Sequence, residues 1–323
     1  RKHDDRCGPV WERYASLCRN SGNGKGRQLR TFDIGLTVIG RELPPPAEWN
    51  YYLDLWQHPA AVARVEGLDL WSDAHFEALV PYMRLLADAG QKVVTTTLNK
   101  DPWNNQCFDA YADMIVWTKN ADGSWSYDYT VFDRWVELMT GLGIDRTINC
   151  YSMLPWNNEL HYRDGSTGRF VDVTADPGTP AFEALWEPFL TDFTGHLREK
   201  GWLGRTNIAM DERSPEEMTD ALGLLRKTAP ELGIAMADNK NSYLNYPFIN
   251  SMCVKVRDRV PPQHIAERRA QGFITTYYVC CSDRFPNMFT FSAPAEAVYA
   301  GWYTAACGYD GFLRWAYNSQ RSC

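Results

Sequence analysis

Eight short apolar runs recur along the chain, and most of them are apolar on both faces. A half-exposed strand alternates apolar and polar residues, whereas a strand of a parallel sheet that helices cover on both sides is apolar throughout. The runs lie at residues 51–56, 92–98, 147–153, 207–211, 233–238, 249–256, 273–281 and 311–317. This pattern predicts eight buried, parallel strands.

Amphipathic segments lie between these runs, and several begin at a residue typical of a helix N-cap. One starts after Ser214, and the others cover residues 72–89, 131–142, 181–200, 261–271 and 293–307. Ser214 is followed by Pro215 and by Glu217 at the third helical position, which predicts a capping box. Thr130 and Asp133 predict a similar cap. Residues 239–248 leave room for little more than a turn.

Eight strands that alternate with about seven helices predict the α/β class and a (β/α)8 TIM barrel. A doubly wound open sheet is the alternative, although no GxGxxG turn follows the first strand. Residues 114–129 predict a hairpin around Asp122-Gly123, a favoured two-residue turn. Because this insertion follows the second strand, it should overhang the mouth of the barrel.

The first 50 residues do not fit this repeat. Residues 1–28 are polar and contain several glycines, so we expect them to be loosely ordered. Residues 31–43 predict one strand, the last of a preceding β-sandwich, for which the chain offers no partner. Pro44-Pro45-Pro46 would form a stiff link. We therefore expect an N-terminal segment over residues 1–46 and the barrel over residues 47–323.

Composition narrows the classes of partner. The net charge of -7 argues against nucleic acid or an anionic membrane, and no apolar run approaches the ~18 residues of a membrane helix. Thirteen Trp residues suit sugar faces, which stack on aromatic rings. The nine Cys residues lack CxxC spacing, so we expect no zinc site and mostly buried thiols. Redox activity of the adjacent Cys280 and Cys281 is the alternative.

Side chains that suit a sugar-binding mouth follow several predicted strands. In a (β/α)8 barrel the active site lies at the carboxyl ends of the strands. Carboxylates and amides can hydrogen-bond to sugar hydroxyls, and aromatic rings can hold the apolar sugar face. The candidate substrate-binding residues at these ends are Trp56, His58, Tyr151, Asn239, Tyr278 and Trp315.

Some of these residues have an ordinary structural role as the alternative. His58 could support the turn that follows the first strand, and Trp315 could belong to the barrel core. Lys240 and Arg314 also lie at strand ends, where we expect each to pair with an acid such as Asp238 rather than with substrate.

Asp211 and Glu212 are adjacent acids at the end of the fourth strand. Neighbouring residues of a regular strand point to opposite faces, so both carboxylates face the mouth only if the strand has ended. The cap at Ser214 indicates that it has. One carboxylate can then stay ionised while the other, repelled and packed among aromatic rings, holds its proton to higher pH. Two solvated acids at a helix N-terminus are the alternative.

Several long strings make the chain similar to glycoside hydrolase family 123, and the resemblance runs from about Asp33 to Ser319. The strings are LDLWQHP (53–59), WSDAHF (71–76), YMRLLADAGQKVVTTT (82–97), DGSWSYDYTVFDRWVELM (122–139), INCYSMLPW (148–156), IAMDER (208–213), PNMFTFS (286–292) and YDGFLRWAYNS (309–319).

The resemblance implies a β-N-acetylgalactosaminidase that has a (β/α)8 barrel and needs neither a metal nor an organic cofactor. It implies that Glu212 is the general acid and base, and that Asp211 holds the acetamido N–H of the substrate. The sugar's own carbonyl oxygen then attacks C1 and gives an oxazolinium intermediate, and the product retains its β configuration. The substrate would be terminal β-linked GalNAc on a glycan or glycolipid.

The resemblance also implies a preceding β-sandwich, so we expect this chain to be shortened at both ends and the whole enzyme to be secreted or periplasmic. Three alternatives remain open. The barrel could act on another sugar such as N-acetylglucosamine, or the chain could be a carbohydrate-binding fragment without turnover. A conventional retaining mechanism would instead use Asp283 or Asp238 as the nucleophile.

Overall fold

The computed structural model describes the backbone of residues 11–16 and 33–38 and the whole of residues 42–319. The chain forms two compact units, Arg1–Pro45 and Pro46–Cys323. In the first unit β1 (Trp11–Ser16) pairs antiparallel with β2 (Asp33–Val38). The expectation that the strand near residues 31–43 has no partner in this chain is therefore wrong. The expected loose order of residues 1–10 and 17–28 lies outside the described residues.

Eight parallel strands form the central sheet of the second unit. They are β3 (Tyr52–Leu55), β4 (Val93–Thr97), β7 (Thr147–Tyr151), β10 (Thr206–Asp211), β11 (Gly233–Asp238), β12 (Ser251–Lys255), β13 (Ile274–Tyr278) and β14 (Gly311–Arg314). From β4 onwards each strand pairs with the next one along the chain, and β14 returns to pair with β3. The Lys92 amide donates to the Leu53 carbonyl (2.9 Å) and links β3 to β4. The predicted (β/α)8 barrel is confirmed.

Seven α-helices connect the strands in the described part of the chain. They are α1 (Pro59–Glu66), α2 (Asp73–Asp88), α3 (Thr130–Gly141), α4 (Pro180–Glu199), α5 (Pro215–Thr228), α6 (Pro262–Ala270) and α7 (Pro294–Cys307). All but α1 were expected from the amphipathic pattern. The crossover between β11 and β12 holds only a short 3-10 helix, Ser242–Leu244, as its length predicts.

The helix caps explain where these elements begin. Ser214 and Glu217 form the predicted capping box of α5. The cap predicted at Thr130 is wrong, because α3 already includes Thr130 and the Asp128 carboxylate accepts from its amide (2.9 Å). The Thr130 hydroxyl itself donates to Asp128 Oδ1 (2.6 Å) and caps no amide of the helix.

A second, four-stranded sheet is built from two insertions that follow β4 and β7. Its strands are β5 (Val116–Lys119), β6 (Trp125–Asp128), β8 (Glu159–Asp164) and β9 (Phe170–Thr174). The β5–β6 hairpin lies within the predicted residues 114–129, but the expected two-residue turn at Asp122-Gly123 is wrong: Lys119 pairs with Trp125, and the Asn120 amide donates to the Ser124 carbonyl (2.8 Å). The β8–β9 hairpin was not predicted, and β8 lies parallel to β5 and joins the two insertions. Trp117 on β5 stacks on Phe189 of α4 at 4.2 Å, which anchors the small sheet.

A separate apolar cluster occupies the barrel interior. Trp56, Trp103 and Tyr151 supply large rings, while Ala209 on β10 and Ala237 on β11 are small. Small side chains on two adjacent strands leave free volume beside the rings. This arrangement leaves an interior that is lined by aromatic groups but not filled by them.

The cysteines are more accessible than expected. Six described cysteines are free thiols, and only Cys150 and Cys253 among them are buried, so the expectation of mostly buried thiols is wrong there. Cys280 and Cys281 follow β13 instead of lying within it. In the described part of the chain, no helix combines the length and apolarity needed to cross a membrane.

Candidate active site

The strand β10 ends at Asp211, and the backbone turns at the next residue. Glu212 adopts a left-handed conformation with φ of 49°, which is uncommon for a residue other than glycine. Its amide donates to the Ala237 carbonyl (2.8 Å), so the turn stays attached to β11. Both carboxylates can thereby face one cavity although the residues are neighbours.

Two tryptophans bind Asp211 through their indole N–H groups. Trp103 donates to the carboxylate Oδ2 (2.8 Å), and Trp156 donates to the main-chain carbonyl (3.0 Å). Burial, together with the charge of Glu212, raises the pKa of Asp211 to about 8, and the Trp103 hydrogen bond opposes this rise. At neutral pH this environment therefore favours a protonated Asp211.

Glu212 receives its hydrogen bond from another strand. The Tyr278 hydroxyl, at the end of β13, donates to Glu212 Oε1. Burial and the neighbouring carboxylate raise the pKa of Tyr278 far above its ordinary value, so this phenol remains a donor at any working pH. The two acids are therefore oriented by separate donors, an indole for Asp211 and a phenol for Glu212.

Arg213 stabilises the turn at Glu212. Its guanidinium donates to the Trp156 carbonyl (3.0 Å) and to Asn158 Oδ1 (2.8 Å), and it forms an ion pair with Glu217. Since Glu217 also completes the capping box of α5, the start of the helix and the position of the carboxylates depend on each other.

A cavity of about 390 Å³ opens beside the acid pair. Aromatic, acidic and basic side chains all contribute to its lining. The lining residues are Trp56, Trp103, Gln106, Trp156, Asp211, Glu212, Ala237, Asn239, Lys255, Tyr278, Val279, Cys280, Cys281, Ser282, Phe289, Leu313, Arg314 and Trp315. Pockets of this size and composition are typical of small-molecule sites.

Four of the six predicted substrate-binding residues line this cavity, namely Trp56, Asn239, Tyr278 and Trp315. Tyr151 is buried behind them, with its ring 4.5 Å from that of Trp56. It can therefore support the cavity wall without being part of the lining.

His58 is fully buried and is not among the lining residues. Its ring stacks on Tyr111 at 3.9 Å, its Nδ1 is 3.2 Å from Ser319 Oγ, and its amide donates to Asn318 Oδ1 (2.8 Å). These contacts hold the segment after β14 against the turn after β3. The geometry favours the supporting role over contact with substrate.

The two alternative nucleophiles lie away from the lining. Asp238 is fully buried and accepts from the Ser242 amide, and Asp283 pairs with Arg257 (2.9 Å). Neither carboxylate belongs to the cavity wall. In the described residues, no group of three or more His, Cys, Asp or Glu side chains is arranged to hold a metal ion.

Trp103 and Trp156 follow predicted strands at the rim but were not chosen as binding candidates, and Lys255 was not considered. Trp103 and Trp156 lie in loops several residues beyond β4 and β7, and only the loop conformation brings them to Asp211. The signal that could have found Lys255 is its place as the last residue of a barrel strand.

A sequence model described as "Glycoside hydrolase 123, catalytic domain" matches residues 56–322. A (β/α)8 barrel with paired carboxylates at the ends of its strands, matched over most of its length by such a model, defines a glycoside hydrolase. The chain belongs to glycoside hydrolase family 123. The resemblance seen in the sequence is confirmed.

A family 123 glycoside hydrolase from Clostridium perfringens, whose structure was analysed for the details of glycolipid glycan hydrolysis, has a similar fold. The two are 32% identical with a TM-score of 0.81, and the match covers 88% of this chain and 52% of that one. This chain therefore spans about half the length of that relative. No curated protein matches the chain.

Two other solved structures are far less similar to this chain. The maltogenic α-amylase AmyB from Thermotoga neapolitana is 10% identical over 71% of this chain and 58% of its own, with a TM-score of 0.37. SrfJ from Salmonella typhimurium is 13% identical over 88% and 71%, with a TM-score of 0.38.

Proposed function

We propose that the chain is the catalytic barrel of a retaining exo-β-N-acetylgalactosaminidase that acts on the non-reducing ends of glycans or glycolipids. The observation that carries this proposal is the pair Asp211 and Glu212, which line one cavity and are held by separate hydrogen-bond donors. The relative from Clostridium perfringens supports the choice of a glycolipid glycan as substrate.

Glu212 is the proposed general acid and base. Tyr278 occupies its Oε1, so Oε2 is available to protonate the departing glycosidic oxygen as the bond to C1 breaks. In the second half of the reaction Glu212 takes a proton from the water that attacks C1. Two inversions at C1 then leave the product in the β configuration.

Asp211 is proposed to hold the acetamido group of the substrate. Trp103 occupies Oδ2, which leaves Oδ1 for the acetamido N–H. That contact favours the ionised carboxylate, so substrate binding should lower the pKa of Asp211 from about 8. The acetamido carbonyl oxygen attacks C1, and the intermediate is an oxazolinium ion instead of an ester on the enzyme.

The rest of the cavity suits a sugar that carries this group. Trp56 and Trp315 offer ring faces, and Asn239 offers an amide to a sugar hydroxyl. N-Acetylglucosamine differs from N-acetylgalactosamine only at O4, so the choice between them depends on the contacts at that hydroxyl.

Hydrolysis of aryl β-GalNAc and aryl β-GlcNAc by this chain tests the proposal. We expect turnover of the GalNAc substrate, with kcat lowered about 100-fold or more in Glu212→Gln for a poor leaving group and much less for dinitrophenol. An N-acetyl-thiazoline, which mimics the oxazoline, should inhibit. Full activity in Asp211→Asn would show that Asp211 does not hold the acetamido group.

Other outcomes overturn the proposal in distinct ways. Cleavage of the GlcNAc substrate alone would assign the barrel to another sugar. Binding of GalNAc without turnover, in a sample with a sharp thermal transition, would identify a carbohydrate-binding fragment. A trapped glycosyl ester on the protein would favour a conventional nucleophile.

A further inference from the structure

Two positive charges line the same cavity as the acid pair. Lys255 is the last residue of β12 and Arg314 is the last residue of β14. Between them runs β13, in which Tyr278 lies in register with Lys255 on one side and with Leu313 on the other. The two cations therefore flank the strand whose tyrosine binds Glu212.

Neutral oxygen atoms are the hydrogen-bond partners of both cations. Lys255 Nζ donates to Ser282 Oγ (2.7 Å), and Arg314 donates to the Val279 carbonyl (3.1 Å) and weakly to Asn287 Oδ1 (3.5 Å). Across residues 42–319, neither cation has a carboxylate oxygen within 4.0 Å.

The neighbouring Arg257 behaves differently. Its exposed guanidinium is paired with the buried carboxylate of Asp283 at 2.9 Å, as buried carboxylates usually are. The Asp283 carboxylate therefore neutralises the charge of Arg257 and not that of Lys255. Arg314 was expected to pair with an acid, but it bonds to the Val279 carbonyl and Asn287 Oδ1 instead.

In the proposed reaction, neither cation has a role when the substrate is a neutral sugar. Positive charge grows on C1 and its ring oxygen as the glycosidic bond breaks, and nearby cations disfavour such a transition state. A negatively charged group on the substrate would balance Lys255 and Arg314.

We propose that Lys255, Ser282 and Arg314 form a subsite for an anionic group, a sulfate or a carboxylate, on the glycan substrate. Lys255 would donate directly to an anion oxygen. The Ser282 hydroxyl accepts from Lys255 and lies 3.1 Å from Cys280 Sγ, so its O–H can donate to the same anion if it turns away from that sulfur. This inference rests on the proposed function and narrows its substrates to acidic glycans.

Matched substrates test the subsite. Umbelliferyl β-GalNAc is compared with its 4-O-sulfate and 6-O-sulfate, and GalNAc β-linked to a uronic acid is compared with GalNAc linked to a neutral hexose. We expect about 10-fold higher kcat/KM for at least one acidic member. The sulfated pair places the anion on the terminal sugar, and the uronic acid pair places it on the next one.

Variants identify the residue that recognises the anion. In Lys255→Met the ratio of kcat/KM between acidic and neutral substrates should fall to about 1, because the change keeps the chain length and removes the charge. Lys240→Met is the matched control, since Lys240 is exposed and is not part of the cavity lining. In this control the ratio of kcat/KM between acidic and neutral substrates should persist. It should decrease as the salt concentration is raised from about 0.05 to 0.5 M.

Failure of the subsite and failure of the proposed function give different results. Turnover of neutral aryl β-GalNAc with equal kcat/KM for every acidic partner, or a preference that survives Lys255→Met, overturns the subsite alone. If no substrate is cleaved, calorimetric titration of the wild-type chain with GalNAc and its sulfates still decides the matter. Sulfate-independent affinity then overturns the subsite, and about 10-fold tighter binding that Lys255→Met abolishes supports it.

Discussion

Asp211 and Glu212 are neighbours in sequence, but their hydrogen bonds come from opposite directions in the barrel. Trp103 reaches Asp211 from the loop after β4, and Tyr278 reaches Glu212 from the end of β13. A substitution in either donor should therefore change one carboxylate and leave the other in place. This separation makes the two proposed roles testable one at a time.

Trp103→Phe removes the indole donor to Asp211 while keeping an aromatic ring. Because that hydrogen bond lowers the pKa of Asp211, its loss should raise the pKa by about one unit. If ionised Asp211 is required, the acid limb of the kcat/KM profile shifts to higher pH. Trp156→Phe is the control, since Trp156 donates only to the main chain of Asp211. An unshifted acid limb would contradict the role of Asp211.

Tyr278→Phe removes the phenol donor that orients Glu212. We expect kcat to fall about 10-fold for an alkyl or unactivated aryl leaving group and much less for dinitrophenol, which leaves without protonation. Tyr277→Phe is a matched control, because the Tyr277 hydroxyl donates to the Ala300 carbonyl outside the cavity. An equal loss for both leaving groups would assign Tyr278 a structural role.

The acid pair and Tyr278 could be assigned to the site from the sequence, whereas the hydrogen bonds from Trp103 and Trp156 to Asp211 could not. Adjacent acids before a capped helix are a local pattern of a few residues. Trp103 lies 108 residues from Asp211, and Trp156 lies 55 residues away, so their contacts depend on how two long loops fold. Two roles for His58 were open from the sequence, and only its burial and its partners favour one of them.

At the scale of elements, boundaries were predictable where a strong local signal exists. The capping box at Ser214 locates α5, and the Asp122-Gly123 turn locates the β5–β6 hairpin. The β8–β9 hairpin carries a similar turn signal in Asp164-Gly165 and was missed, because its short, half-buried strands have weak periodicity and its pairing with β5 joins distant residues. Long-range pairing of that kind leaves no trace in local periodicity.

Ser214→Ala tests the coupling between the α5 cap and the site. Loss of the cap should lower the free energy of unfolding by about 1 kcal/mol and the melting temperature by about 2 °C. Ser72→Ala, which removes the side-chain cap of α2, should cost a similar amount. Only the Ser214 variant should also lower kcat/KM, because Glu217 links the cap to Arg213. Equal kcat/KM in both variants would contradict this link.

At the scale of the whole barrel, closure brings β14 against β3. A Cβ atom added at Gly311 would lie 1.9 Å from the Tyr52 carbonyl oxygen, which is a backbone atom and cannot move aside alone. Glycine is thus required at this position by close approach of the two strands. The sequence predicted the barrel from its repeat, but it gave no sign of which glycine permits closure.

Gly311→Ala should lower the free energy of unfolding by about 3 kcal/mol or more, or prevent folding, because the added methyl separates β14 from β3. Gly301→Ala is the control within α7, where nothing lies within 4 Å of an added Cβ. There the change should be neutral or stabilise the chain by up to about 1 kcal/mol. Chemical denaturation measures both, and similar losses would show that closure does not depend on Gly311.

The parallel pairing of β5 with β8 has a consequence for the motion of the small sheet. The two insertions follow different barrel strands, yet Thr118 and Lys119 are in register with Arg163 and Asp164. Neither hairpin can open without breaking hydrogen bonds to the other, so both should behave as one cooperative unit of local unfolding. Amide protons across β5, β6, β8 and β9 should then exchange with deuterium at similar rates, and they should slow together when a sugar occupies the barrel.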